Sequence, residues 1–235
     1  MKEGEKNDDK YLNFPIQLLE GFMIDSKSVL NNIMQYSVYS HGYNNLEFNT
    51  DFDKFKASAN YYGINFINEK ISFENGRTLF DTLGPGNPMV GLKKKIYYDY
   101  YNYYKSDFQK ICLLGFLGIR SILMFKAYCK TTNDNWFSRM DGKAYKTSKE
   151  KLSKEIQKFH NEYQAKKIKN ELELNWNLNT YSRYTRGFYV SFKLSLNELV
   201  FHAEKKRKAY QEKKLKTEKE NARLEALKRL EKTDN

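Results

Sequence analysis

Residues 166–192 read KKIKNELELNWNLNTYSRYTRGFYVSF, and the spacing of apolar positions changes partway through. In the segment from about 161 to 175, Ile168, Leu172 and Trp176 recur every four residues, which places them along one side of a helix. Further on, Phe188, Val190, Phe192 and Leu194 alternate with Tyr189, Ser191 and Lys193, the pattern of a half-buried strand. LNTYSRY is also strand-like. Thr185-Arg186-Gly187 joins the two, and glycine there supplies the positive φ that a tight hairpin turn needs. A helix that feeds directly into a β-hairpin predicts a mainly α protein with α+β character.

Working upstream, Ser106 with Gln109 forms a capping-box pattern that opens a helix over 107–125. That helix contains the apolar run ICLLGFLGIRSILMF, which Arg120 interrupts and which is too short to cross a bilayer. A short helix at about 132–141 follows, capped by Thr131 or Thr132 and closed by Gly142. Thr147 with Glu150 predicts a further helix to about Phe159. Downstream, Ser195 with Glu198 opens a long charged helix running towards 230.

Nearer the start, residues 1–10 are polar and expected to be disordered. The apolar segment YLNFPIQLLEGFMI comes next, then a helix from Asp25 or Ser26 through His41. Thr50 with Asp53 begins another, which Gly63 ends, and a third spans about 68–83 up to Gly84. The Pro-Gly-Asn-Pro loop at 85–88 is the clearest internal boundary. VGLKKKIYYDYYNYY beyond it is rich in β-forming Tyr and Ile, so about 89–98 is expected as a strand. The expected organisation is a helical N-terminal domain at 11–88, a second domain at 89–200 and a basic helical tail at 201–235.

The charge is unevenly distributed. Residues 1–107 carry 12 Lys/Arg and 14 Asp/Glu, a net of −2, whereas residues 108–235 carry 29 and 15, a net of +14. A neutral half joined to a strongly basic half is the pattern expected when one part meets phosphate, so nucleic acid is the expected partner. Of the 41 basic residues 33 are Lys, a bias that AT-rich coding DNA would also produce. The alternative is therefore a non-catalytic protein–protein adaptor or structural protein. Apolar residues at 40% and aromatics at 16% exclude a wholly disordered chain. Cys112 and Cys129 lack disulfide-framework or metal-ligand spacing and read as reduced thiols. MKEGEKNDDK is charged throughout and does not look like a secretory signal, so the cytoplasm is the expected compartment and a membrane partner is not expected.

Enzyme signatures are sparse. His41, His160 and His202 are far apart, with no metal-binding histidine pair, and neither a P-loop nor a dinucleotide fingerprint is present. A tyrosine-recombinase set can be assembled from Arg139, His160, Arg183 and Tyr189 only by selection among 19 tyrosines. No enzyme activity and no cofactor are expected. The cluster YYDYYNYY at 97–104 reads either as a stacking platform for single-stranded nucleic acid or as rings packed into a core. Lys205-Lys206-Arg207-Lys208 is a basic block that could assist phosphate binding.

Several helices followed by a hairpin with a basic tip resemble a winged helix-turn-helix DNA-binding domain over about residues 107–194. WFSRMDGK resembles the second helix and turn of such a domain, and KKIKNELELNWNLNTYSRYTRGFYVSF a recognition helix leading into its wing. The resemblance implies that Lys166, Lys167, Lys169 and Asn170 face the major groove, that Arg183, Tyr184 and Arg186 lie in the wing, and that Arg139 joins the contact surface. It departs from the family in the extra segment at 147–159, which stretches the turn between the second and third helices. The same resemblance brings in replication initiators and transcriptional regulators of phages, plasmids and other mobile elements, with DNA favoured over RNA. Homo-oligomerisation stays open. From the residues alone, positions 166, 169 and 170 share one polar helix face, where Lys attracts phosphate and Asn can pair with adenine.

Overall fold

The computed structural model describes residues 10–84, 86–183 and 187–233, with side chains up to 225. Only Lys10 of the segment expected to be disordered falls within that range. Among the described residues helix accounts for 65% and strand for 9%, with two small antiparallel sheets, so the fold is mainly α, as the apolar periodicities require.

The first sheet joins β1 (Tyr11–Pro15) to β2 (Met89–Lys93), with Tyr11 opposite Lys93 and Pro15 opposite Met89. Leu12 and Phe14 alternate inward from β1 and are fully buried. A 3-10 turn at Ile16–Leu19 continues the chain into α1 (Ser26–Asn45), whose N-cap Asp25 accepts from the Ser28 amide at 3.0 Å. Helices α2 (Asp51–Tyr62) and α3 (Glu69–Leu83) pack on α1, capped by Thr50 and Asn68 respectively. Gly63 closes α2 in the left-handed region at φ 61°, as expected. Tyr39, Phe73 and Phe80 bind α1 to α3 through ring contacts of 5.4–5.7 Å. Because β2 pairs with β1, residues 86–88 lead into a strand partner of β1. The hydrophobic core runs without a break from Leu12 to Val190.

The expected strand at 89–98 stops at Lys93, and α4 (Lys94–Asn102) begins there. The tyrosines explain the change. In a helix, Tyr97, Tyr100 and Tyr101 share one side. Tyr97 and Tyr100 are buried, Tyr97 stacks on Tyr101 at 5.6 Å, and the Tyr100 hydroxyl donates to the Gln109 carbonyl at 3.0 Å. A β-propensity reflects packing on a pleated surface, and here α1 and β2 offer a helix-shaped site instead. Tyr103 and Tyr104 are left exposed.

The remaining elements follow the order α5 (Asp107–Leu123), β3 (Cys129–Thr131), α6 (Asn133–Met140), α7 (Lys154–Gln157), α8 (Glu162–Trp176), β4 (Asn179–Tyr181), β5 (Phe188–Ser191) and α9 (Leu196–Thr233). The Ser106–Gln109 capping box forms in both directions. Gly115 and Gly118 let α5 approach its neighbours. A Cβ at Gly115 would lie 3.1 Å from Ile168 and 3.2 Å from Trp136, and the Trp136 indole N–H donates to the Gly115 carbonyl at 2.9 Å. The helix expected over 147–159 divides into a 3-10 turn at Lys149–Lys151 and the single turn of α7. Local bonding prevents continuity: the Thr147 amide donates to Ser138 Oγ at 2.8 Å, and Asp141, itself buried, takes the Ser153 amide at 2.9 Å and hydroxyl at 2.5 Å.

The second sheet has the order β3-β5-β4, all antiparallel. Phe188 and Val190 point inward against α5 and α6, with Phe188 5.8 Å from the Trp136 ring. Gly187 has φ 95°, and a Cβ there would stand 2.2 Å from the Thr131 carbonyl oxygen. Only glycine lets β5 enter beside β3 at this point. Ser195 and Glu198 cap α9 reciprocally. Its 38 residues span about 57 Å at 1.5 Å per residue. Leu199 and Ala203 are buried, whereas the side chains from Lys208 to Glu225 are exposed.

Candidate nucleic-acid interface

Helix α8 carries four of the eight residues that sequence reasoning assigns to nucleic-acid contact. Asn161 caps it by accepting from the Gln164 amide at 2.9 Å, and Asn177 ends it in the left-handed region at φ 54°. Ala165, Ile168 and Leu172 are buried and fix its rotation, and Trp176 lies against Phe116 at 4.6 Å. The opposite face presents Tyr163, Lys166, Lys167 and Asn170 to solvent. Lys167 arches over the Phe108 ring at 4.6 Å, packing its stem while its charge stays in water. Glu162 and Glu173 are also exposed and flank this stretch, so the positive part of the face is confined to the middle turns.

Lys169 departs from the expected face. It is half-buried, with its ammonium 3.5 Å from the Phe188 ring centroid, 5.6 Å from that of Trp136, and donating to Asn133 Oδ1 at 3.1 Å. Burial pushes its pKa down to about 8, against the opposing pull of the Glu173 carboxylate. The helix periodicity that groups 166, 169 and 170 is sound. However, 169 lies one turn from Ala165 and adjacent to Ile168, on the margin that meets β5 and α6. Lys169 therefore ties α8 to the sheet and to α6.

Arg139 is also drawn inward. It is half-buried on α6, and its Nε and Nη1 are buried without a hydrogen-bond partner. Desolvation lowers its pKa, opposed by Tyr145. Its stem abuts the position where a Cβ on Gly118 would project, at 3.4 Å, so it is packed towards α5.

Arg183 leaves β4 at the start of the hairpin connection and is exposed. Tyr184 and Arg186 lie outside the described residues. Arg183 borders a cleft of about 300 Å³ between the outer face of the second sheet and α9. Lys130, Lys206 and Arg207 border the same cleft, as do Tyr181, Tyr189 and Tyr210. Sequence reasoning singled out the block containing Lys206 and Arg207 but did not join it to the hairpin. The one available signal was the alternation of β5, which sends Tyr189 to the face opposite Phe188 and Val190. That β3 would add Lys130 to the same row depends on a pairing across about 60 residues, for which the sequence holds no local cue.

Among the described residues there is no cluster of His, Cys, Asp and Glu able to hold a metal ion, and no helix long and apolar enough to cross a membrane. No protein-family model matches the chain, and no curated protein or solved structure gives a significant match.

Proposed function

We propose that the protein binds DNA through a winged-helix-like unit at residues 107–194, with α8 as the reading helix. The observation that carries this reading is the element order of that segment: helix α5, strand β3, helix α6, the single inserted turn of α7, helix α8 and a hairpin, whose returning strand β5 lies between β3 and β4. That is the arrangement by which a winged helix holds its third helix against a small sheet and leaves the other side of the helix outward. Here the outward side bears Lys166, Lys167 and Asn170, while Ile168, Leu172 and Lys169 anchor the inward side. The lysines supply phosphate attraction, and Asn170 supplies a side chain able to pair with adenine in the major groove. Replication initiation or transcriptional control in a mobile element is the setting this reading suggests.

The test is a binding isotherm on duplex DNA at several salt concentrations, for the wild type and for Lys166→Ala/Lys167→Ala. If each lysine neutralises one phosphate, the double variant flattens the log–log salt slope by about 1.8. An unchanged slope and affinity would remove α8 from the interface.

A further inference from the structure

The cleft between the second sheet and α9 presents a chemistry of its own. Lys130, Tyr189 and Tyr181 stand opposite one another across β3, β5 and β4. Cross-strand neighbours point to the same face, and since Phe188 and Val190 occupy the inner face, this row lies on the outer one. The small, buried Ala203 of α9 faces the sheet, and Tyr210, also on the helix, borders the cleft with an exposed ring.

The charges are organised around one carboxylate. Glu204 Oε1 accepts from the Tyr181 hydroxyl at 2.8 Å, and Oε2 accepts from Arg207 at 2.8 Å through both Nε and Nη2. Glu204 thereby sets the positions of a wall tyrosine and a rim arginine. Lys130, Arg183, Lys206 and Arg207 together outnumber this single acidic group. Lys130 stands 5.9 Å from the Tyr189 ring centroid and Lys206 4.6 Å from that of Tyr128, so the cations rest against aromatic faces at the rim of the cleft.

Aromatic walls bordered by surplus cations suit a flat, weakly polar ring that carries an anionic group. Base–aromatic stacking and phosphate–cation attraction are the two contributions by which unpaired nucleic acid is held. The cleft, about 300 Å³ and walled by the sheet on one side and the helix on the other, offers room for one such ring. We infer that this cleft binds a single unpaired nucleotide, its base against the tyrosines and its phosphate among Lys130, Arg183, Lys206 and Arg207. The nucleotide belongs either to a single strand or to the free pool. The inference does not depend on α8 contacting duplex DNA.

The experiment uses the full chain and a fluorescein-labelled oligomer of eight deoxyadenylates, with adenosine monophosphate as competitor, read by fluorescence anisotropy. Tyr210→Leu is the primary variant, because Tyr210 is exposed and its loss leaves the core intact. Tyr189→Leu is the second, with circular dichroism confirming its fold. Loss of one base–aromatic stack weakens oligomer binding by about 5- to 150-fold. Competition by the mononucleotide at concentrations near those of the oligomer assigns the site to free nucleotide, and its failure to compete assigns it to a strand; both support the cleft. Failure of both probes to bind, or wild-type affinity in both folded tyrosine variants, would overturn the proposal.

Discussion

Lys169 provides the sharpest physical test of how α8 is seated. Its ammonium is withdrawn from water into the angle between Phe188, Trp136 and Asn133, and its pKa is lowered from 10.5 to about 8. A lysine whose folded pKa lies below its unfolded one binds more protons when unfolded. Stability therefore rises with pH between those two values and is lower by a constant amount below them. Compared with Lys169→Met, which keeps the stem and removes the charge, the wild type should gain about 1.5 kcal/mol between pH 8 and pH 9.5 from linkage alone. The ring faces favour the ammonium by about 0.5–2 kcal/mol, which trims the gain to about 0.3–1.3 kcal/mol without reversing it. Urea unfolding of both proteins at the two pH values measures the difference. Comparing the two proteins also cancels the ionisation of tyrosines such as Tyr62, whose buried hydroxyl is pushed up to about 12. A difference that stays flat with pH would place the ammonium in water and return Lys169 to the exposed face.

Three further outcomes follow from packing and backbone geometry. Trp136→Phe removes the donor to the Gly115 carbonyl in a fully buried site, and equilibrium unfolding should show a loss of about 1–3 kcal/mol. Gly187→Ala meets both a φ of 95° and the Thr131 carbonyl oxygen. Amide hydrogen exchange in β5 should accelerate and stability should fall by about 1–3 kcal/mol, whereas exchange in α1 is unaffected. Burial pushes the Cys112 thiol up to about 12, so an aromatic disulfide reagent at pH 8 should modify the half-buried Cys129 first and Cys112 only on unfolding.

Much of the helical framework was legible because its signals are local. The caps at Asp25, Thr50 and Ser106, the left-handed Gly63 and the alternation of Phe188 and Val190 each act within a few residues. The failures had a common physical origin. Tyr97 and Tyr100 became helical because a groove already built by α1 and β2 accepts them. The 147–159 segment broke because Asp141, from another turn, captured Ser153. In the candidate interface, the exposure of Lys166, Lys167 and Asn170 followed from helix periodicity, but the withdrawal of Lys169 required knowing that Phe188 stands beside it. The tyrosine-lined cleft was illegible for the same reason, since Lys130, Tyr189 and Arg207 meet only after the second sheet and α9 have assembled.

The pairing of Phe14 with Val90 also sets a timetable for the nascent chain. The partner strand leaves the ribosome roughly 75 residues after β1, an interval of about 4–15 s at ordinary elongation rates. Throughout that wait Leu12 and Phe14 face water or a chaperone, and the unmatched backbone of β1 is a template for any other extended segment nearby. Rare codons placed between α1 and β2 would lengthen the delay and lower soluble yield, whereas the same codons after residue 93 would leave β1 already paired.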